Sequence, residues 1–315
     1  GHCDATFIKV KQAFINNFAE EGELGAAIAI YIDGDKVVDL WGGYADNTRS
    51  QPWKADTMAG FYSAGKPLAA LCVLKLVDDG IIELDKPVCG WWPEFAAGGK
   101  EQITVRQLLS HQAGLQSIRK RLPEEAMLDW DLMTGELAAA APWNPTGSIH
   151  TYHTNTYGFL AGELVRRTSG LDFSRYFAEN IAQPLKSEVY FGVPDGELPR
   201  AAELVWRPGG DPPAGILDQE LTETQRMVLH TYFNPSGLSS MGLMNTQKWR
   251  QAVIPSTNGH GTADGIARIY HILAHGGSYG DTAIISQDLL TEATRVQSKG
   301  FCPVLERDVS FCLGF

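Results

Sequence analysis

The stretch "GFYSAGKPLAALCVLKLVDDG", residues 60–80, sets a serine and a lysine three apart at the head of an apolar run. Leu68, Leu71, Leu74 and Val77 recur at helical spacing and Gly80 supplies a stop, so a helix over 66–80 is predicted. Residues three apart on a helix share a face, which places Ser63 beside Lys66 near the positive end of the helix dipole. An amine sheltered there sheds its proton more easily than one in water, and becomes a base for the serine hydroxyl. The competing reading is a serine N-cap followed by a surface lysine, a common way to begin a helix. Pro67 suits both, because it falls in the first turn.

The tetrapeptide alone decides little. Composition yields about 0.6 chance S-x-x-K matches in such a chain, and a second one exists, Ser117-Ile118-Arg119-Lys120. It lies in the charged run "SIRKRL", where the lysine is expected to be solvated and protonated.

Working outward, residues 5–22 carry Phe7, Ile8, Phe14, Ile15 and Phe18 at a helical period. "GAAIAIYIDGDKVVDLWGGYA" reads as two strands around Asp33-Gly34-Asp35. Further helices are predicted in "TVRQLLSHQAGL", over 124–141, over 156–170 and in "GTADGIARIYHILAHGG", while 192–222 reads as a long surface loop. "VSFCLGF" reads as a strand beginning. Strands near both ends with helices between them predict an α/β domain closed by both termini, with a helical insertion between. Residues 1–80 and 255–315 are expected to form one discontinuous α/β domain around a mostly helical insertion, 81–254.

The chain has 315 residues, 44% hydrophobic, with a net charge of −11. No basic run is present, which argues against nucleic-acid partners, and no apolar stretch is long enough to span a membrane. The five cysteines are odd in number, widely spread and without a C-x-x-C, so they read as free thiols of a reducing compartment. A bacterial cytoplasmic location is expected, or a periplasmic one if a leader has been removed. Nothing sets an oligomeric state. There is no G-x-S-x-G elbow. His271 and His275 share a helix face but lack the glutamate of H-E-x-x-H, and His150 with His153 lacks a third ligand, so no metal or cofactor is assigned. His111 reads as a structural hydrogen-bonding residue near a helix end. Trp91, Trp92 and Trp143 either line a pocket or pack.

Three blocks in order, "FYSAGKPLAALCVLKLVDDGIIELDKPV", "ITVRQLLSHQAGL" and "YHTNTYGFLAGELVRRTSG", resemble the serine β-lactamase-like superfamily. The likeness is greatest to its class C, family VIII esterase and penicillin-binding-protein-like branch, and runs from about residue 24 to 290. It implies an α+β, β-lactamase/transpeptidase-like fold, an antiparallel sheet flanked by helices with a mostly helical inserted domain, with Ser63 as nucleophile and Lys66 as base. The family's Y-x-N element aligns with Tyr152-His153-Thr154. The tyrosine is present, but Thr154 stands where the asparagine belongs and Asn155 comes one residue late. The resemblance thus implies Tyr152 as catalytic, with His153, Thr154 and Asn155 as substrate-binding candidates. Tyr232-Phe233-Asn234 and Ser256-Thr257-Asn258 match the letters but lie outside the blocks, and are set aside. The family's third element, a K-[ST]-G, H-x-G or W-x-G strand supplying an oxyanion N–H, is expected beyond Phe315, the alternative being a protein that lacks half its oxyanion hole. Trp41-Gly42-Gly43 and His275-Gly276-Gly277 match it in letters but not in place.

The implied function is a serine hydrolase acting on a small-molecule ester through an acyl-enzyme. A β-lactamase or D-Ala-D-Ala carboxypeptidase on the same scaffold is the first alternative. A non-catalytic binding or assembly module is the second.

Overall fold

In the computed structural model, residues 1–205, 215–235 and 243–315 are described. Strands β1 (His2–Cys3), β2 (Gly25–Ile32) and β3 (Asp35–Gly43) form an antiparallel sheet in the order β1-β3-β2. The β2–β3 turn is Asp33-Gly34, with φ of 49° and 95°. Two consecutive positive φ values match the twist of the flanking strands, and Asp-Gly supplies them at low cost. Helix α1 (Ile8–Glu20) lays Val10 and Phe14 against Val37, Val38 and Leu40 of this sheet.

Helix α2 (Gly65–Asp78) is buried on nearly every side, not along one stripe. Such a helix is apolar all round and forms the centre of a core. It packs against α5 (Thr156–Ser169), and its apolar cluster takes in side chains from α3 (Val105–Leu109) and α4 (Trp130–Ala139). A capping box at Thr104–Gln107 starts α3, and Asp129 caps α4 by accepting from Leu132 N–H. The helix expected over 124–141 is therefore shorter, because residues 126–128 take a 3-10 turn before that cap. Gly170, at φ 72°, ends α5 as predicted. Helix α6 (Phe173–Phe177) follows.

A second antiparallel sheet has the order β4-β6-β5, from Ala59–Gly60, His260–Gly261 and Val189–Tyr190 respectively. Ala59 pairs with Gly261 and Gly60 with His260, so segments some 200 residues apart meet just before Ser63. Because β5 lies within 81–254, that stretch contributes to the sheet as well as to the helical layer. Of the loop expected over 192–222, residues 195–200 form a 3-10 helix and 206–214 lie outside the described residues.

Helices α7 (Glu223–Phe233), α8 (Gln247–Gln251), α9 (Ala263–Ala274) and α10 (Gln287–Thr294) complete the α-helices among the described residues. Helix α9 covers β2, tied by the Tyr31 hydroxyl donating to Asp264 at 2.7 Å. A small hairpin pairs β7 (Ser278–Tyr279) with β8 (Thr282–Ala283), and a longer one pairs β9 (Ser298–Cys302) with β10 (Arg307–Phe311). The strand expected through "VSFCLGF" ends at Phe311. Leu313 turns into the core there and donates its N–H to Ala293 O at 2.9 Å.

Candidate active site

Ser63 sits where β4 turns into α2. Phe61 N–H donates to Gly259 O at 3.0 Å, Tyr62 takes φ 45°, and residues 62–64 form a 3-10 turn. A non-glycine residue in the left-handed region costs about 1 kcal/mol or more. Here that conformation lies directly before the serine. The α2 N-cap position is Ala64, and Ser63 caps nothing with its side chain. The capping reading is thereby displaced, and the hydroxyl is left for Lys66.

Lys66 lies beneath the exposed serine and is itself only 3% exposed. Its amine donates to Ser63 Oγ at 3.0 Å and to Ser256 O at 3.1 Å, both neutral oxygens. Burial pushes its pKa down to about 7, and no carboxylate among the described residues offsets this. The amine also lies 4.8 Å from the centroid of the Tyr152 ring. Burial pushes the Tyr152 phenol up, an effect only partly countered by its interaction with Ser63. At neutral pH the site thus holds an amine ready to accept a proton beside a phenol that keeps its own. The other S-x-x-K is pulled apart: Ser117 is buried and donates to Met227 O, while Lys120 is exposed and paired with Glu136.

Two glycines let the Lys66 anchor approach. A Cβ on Gly65 would lie 2.4 Å from Pro255 O, and one on Gly158 would lie 2.4 Å from Ser256 N. The 254–258 loop therefore rests on the backbones of both α2 and α5. Its side chains lock it: Asn258 donates to Trp249 O and Ala252 O and accepts from Ile254 N–H. Ser256-Thr257-Asn258, set aside on sequence, thus forms the floor under Lys66. The signal was absent from the sequence because the contact is made by a main-chain carbonyl, which any residue possesses.

Of the residues after Tyr152, His153 and Asn155 are buried and bonded to the scaffold. His153 is fully buried; its Nε2 accepts from Leu115 N–H at 3.1 Å, which leaves Nδ1 to donate to Thr151 O at 2.6 Å. Burial pushes it down to about 4, with the Thr151 carbonyl opposing and Lys66 adding to the shift. Asn155 donates to Thr231 O and accepts from Thr257, so both ends of its amide are spent on the scaffold. Thr154 lies beside Tyr232, whose hydroxyl donates to Val304 O at 3.1 Å. Both ring nitrogens of His153 are engaged by the backbone and the Asn155 amide is tied to the scaffold at both ends, so the substrate contacts expected of these two residues gain no support from this geometry. Asn234 is likewise spent on Ile118, Lys120 and Leu122. Trp92 and Trp143 are buried and pack. His271 and His275 pack at a tilt against each other and edge-on against Tyr279. Among the described residues no three side chains are grouped to hold a metal.

An exposed hydroxyl above a buried, weakly basic amine, with a phenol alongside, is the equipment of a serine nucleophile. The beta-lactamase family profile matches residues 10–302. The chain belongs to the beta-lactamase family. Esterase/beta-lactamase LipL of Mycobacterium tuberculosis is 34% identical over 304 residues, 94% of this chain and 69% of that protein. The crystal structure of a family VIII carboxylesterase superposes with a TM-score of 0.90 at 37% identity, covering 100% of this chain and 82% of the other. A penicillin-binding protein homolog from Caulobacter crescentus gives 0.90 at 40% identity with the same coverage. The family's α+β, β-lactamase/transpeptidase-like architecture is the one described above, and its esterase and β-lactamase members make this a serine-hydrolase scaffold. None of the described helices is long and apolar enough to cross a membrane.

Proposed function

We propose that the protein hydrolyses small carboxylic esters through an acyl-enzyme on Ser63. The observation that carries this reading is the 3.0 Å contact between the exposed Ser63 hydroxyl and an amine that burial holds near pKa 7. In the first step Ser63 Oγ attacks the ester carbonyl carbon while its proton passes to Lys66 Nζ. The Tyr152 phenol then protonates the departing alkoxide and is reprotonated from Lys66. A water attacks the acyl carbon in the second half, giving its proton back along the same path and releasing the acid. Ser63's own N–H is proposed as one oxyanion donor.

Ester is preferred to lactam amide for two reasons. An alkoxide leaves more readily than an amide nitrogen. Thr154 also replaces the family asparagine, and the neighbouring Asn155 amide is tied to the scaffold at both ends. The test is hydrolysis of p-nitrophenyl butyrate and of a chromogenic cephalosporin by the wild type and Ser63→Ala, with mass-spectrometric mapping of a fluorophosphonate label. Ester turnover lost in Ser63→Ala and a label on Ser63 support the reading. Faster cephalosporin turnover would make the protein a β-lactamase, and an unlabelled, inactive protein would make it a binding module.

A further inference from the structure

His111 brackets Tyr152 on both sides. Its carbonyl accepts from Thr151 N–H at 3.0 Å and its ring Nδ1 accepts from His153 N–H at 3.1 Å, so the two residues flanking Tyr152 hang on one histidine. The His111 ring also lies 5.1 Å from the Tyr152 ring and 4.5 Å from Phe311, which itself stacks on Tyr152 at 6.2 Å. Backbone φ at His111 is 62°, in the left-handed region where few side chains other than Asn, Asp and His are found. The bracket is closed from behind by His153, whose ring ties Thr151 to Leu115. Both imidazoles must be neutral to accept these N–H donors, and both are buried away from water.

We infer that His111 is a positioning residue for Tyr152, fixing the phenol over Ser63 and Lys66 by accepting the His153 N–H. It touches no reacting atom. The inference rests on the catalytic reading of Ser63, Lys66 and Tyr152, and its test separates the two.

Asparagine places Oδ1 close to where Nδ1 stands and tolerates positive φ better than other side chains, so His111→Asn keeps the acceptor. His111→Leu removes it and keeps bulk. The measurements are kcat and KM for p-nitrophenyl butyrate in both variants, with Tyr152→Phe as reference and circular dichroism to verify folding. Expected are a kcat lowered on the order of 100-fold in His111→Leu, an unchanged KM, and recovery to within about 5-fold of wild type in His111→Asn. If His111→Leu does not fold, His111→Gln, whose acceptor is displaced by one bond, takes its place with the same expected split. Wild-type kcat in His111→Leu, or equal losses in the leucine and asparagine variants, overturns the inference while leaving Tyr152 in its role. A Tyr152→Phe variant with wild-type turnover removes the catalytic reading and this inference with it.

Discussion

Burying one amine at Lys66 has two consequences that act in opposite directions. Its folded value near 7 lies below the 10.5 of an unperturbed lysine. The proposed mechanism needs the neutral amine, so kcat/KM should rise with pH through about 7 and level off above it, and a profile flat from pH 5 to 9 would contradict Lys66 as the base. Stability follows the same group by linkage. Between about 7 and 10.5 the unfolded chain binds a proton that the folded chain does not, so this contribution to stability grows as pH rises across that window. At pH 7 the folded state therefore carries a penalty, and Lys66→Met should relieve it. We expect that variant to be inactive yet more stable by about 3 kcal/mol at pH 7, with the gain fading towards pH 10.5. Urea titrations of both proteins at pH 7 and pH 10 measure this directly. Ser63 and Lys66 were legible in the sequence because their relationship is local, three residues along one helix. Tyr152 was legible only through family likeness, since it lies 89 positions further on and reaches the site through folding.

Helices, turns and caps followed their local chemistry closely where the signals were strong. Asp-Gly turned β2 into β3, Gly170 ended α5, and the Thr104 capping box began α3. The 254–258 loop was illegible because its role depends on two glycines on other helices being small. That dependence gives a test. Gly65→Ala or Gly158→Ala forces a Cβ against main chain at 2.4 Å, where no side-chain rotation relieves the contact. Each should cost about 2 kcal/mol of stability. The displaced loop also moves Ser256 O away from Lys66 and admits water, so the acid limb of the pH–rate profile should shift upwards from about 7. Combined chemical denaturation and pH–rate measurement checks both effects. A variant as stable as wild type with an unmoved limb would show that the loop adjusts freely.

On the scale of the whole molecule, the fold class was legible because element types and their order are set by periodicity and turn residues. The division into parts was less so: α2 lies in the first 80 residues yet packs at the centre of the helical layer, and β5 from the helical stretch joins the sheet beside Ser63. Periodicity names a face, but not the partner of that face. The net charge of −11 also acts as a whole. It should slow approach of anionic esters and leave neutral ones unaffected, so kcat/KM for an ester bearing a distal carboxylate should rise several-fold between about 20 and 300 mM salt. Equal salt response for neutral and anionic esters would show that the field at the cleft differs from the overall sign. The site also has a temporal property. Lys66 finds its second oxygen only at Ser256, and Tyr152 finds a partner for its N–H only at Cys302 Sγ. A growing chain on the ribosome therefore carries its proposed nucleophile and base long before their surroundings are complete. On the proposed mechanism, hydrolytic competence arrives late in translation, and a nascent chain halted before these segments emerge should be silent towards esters.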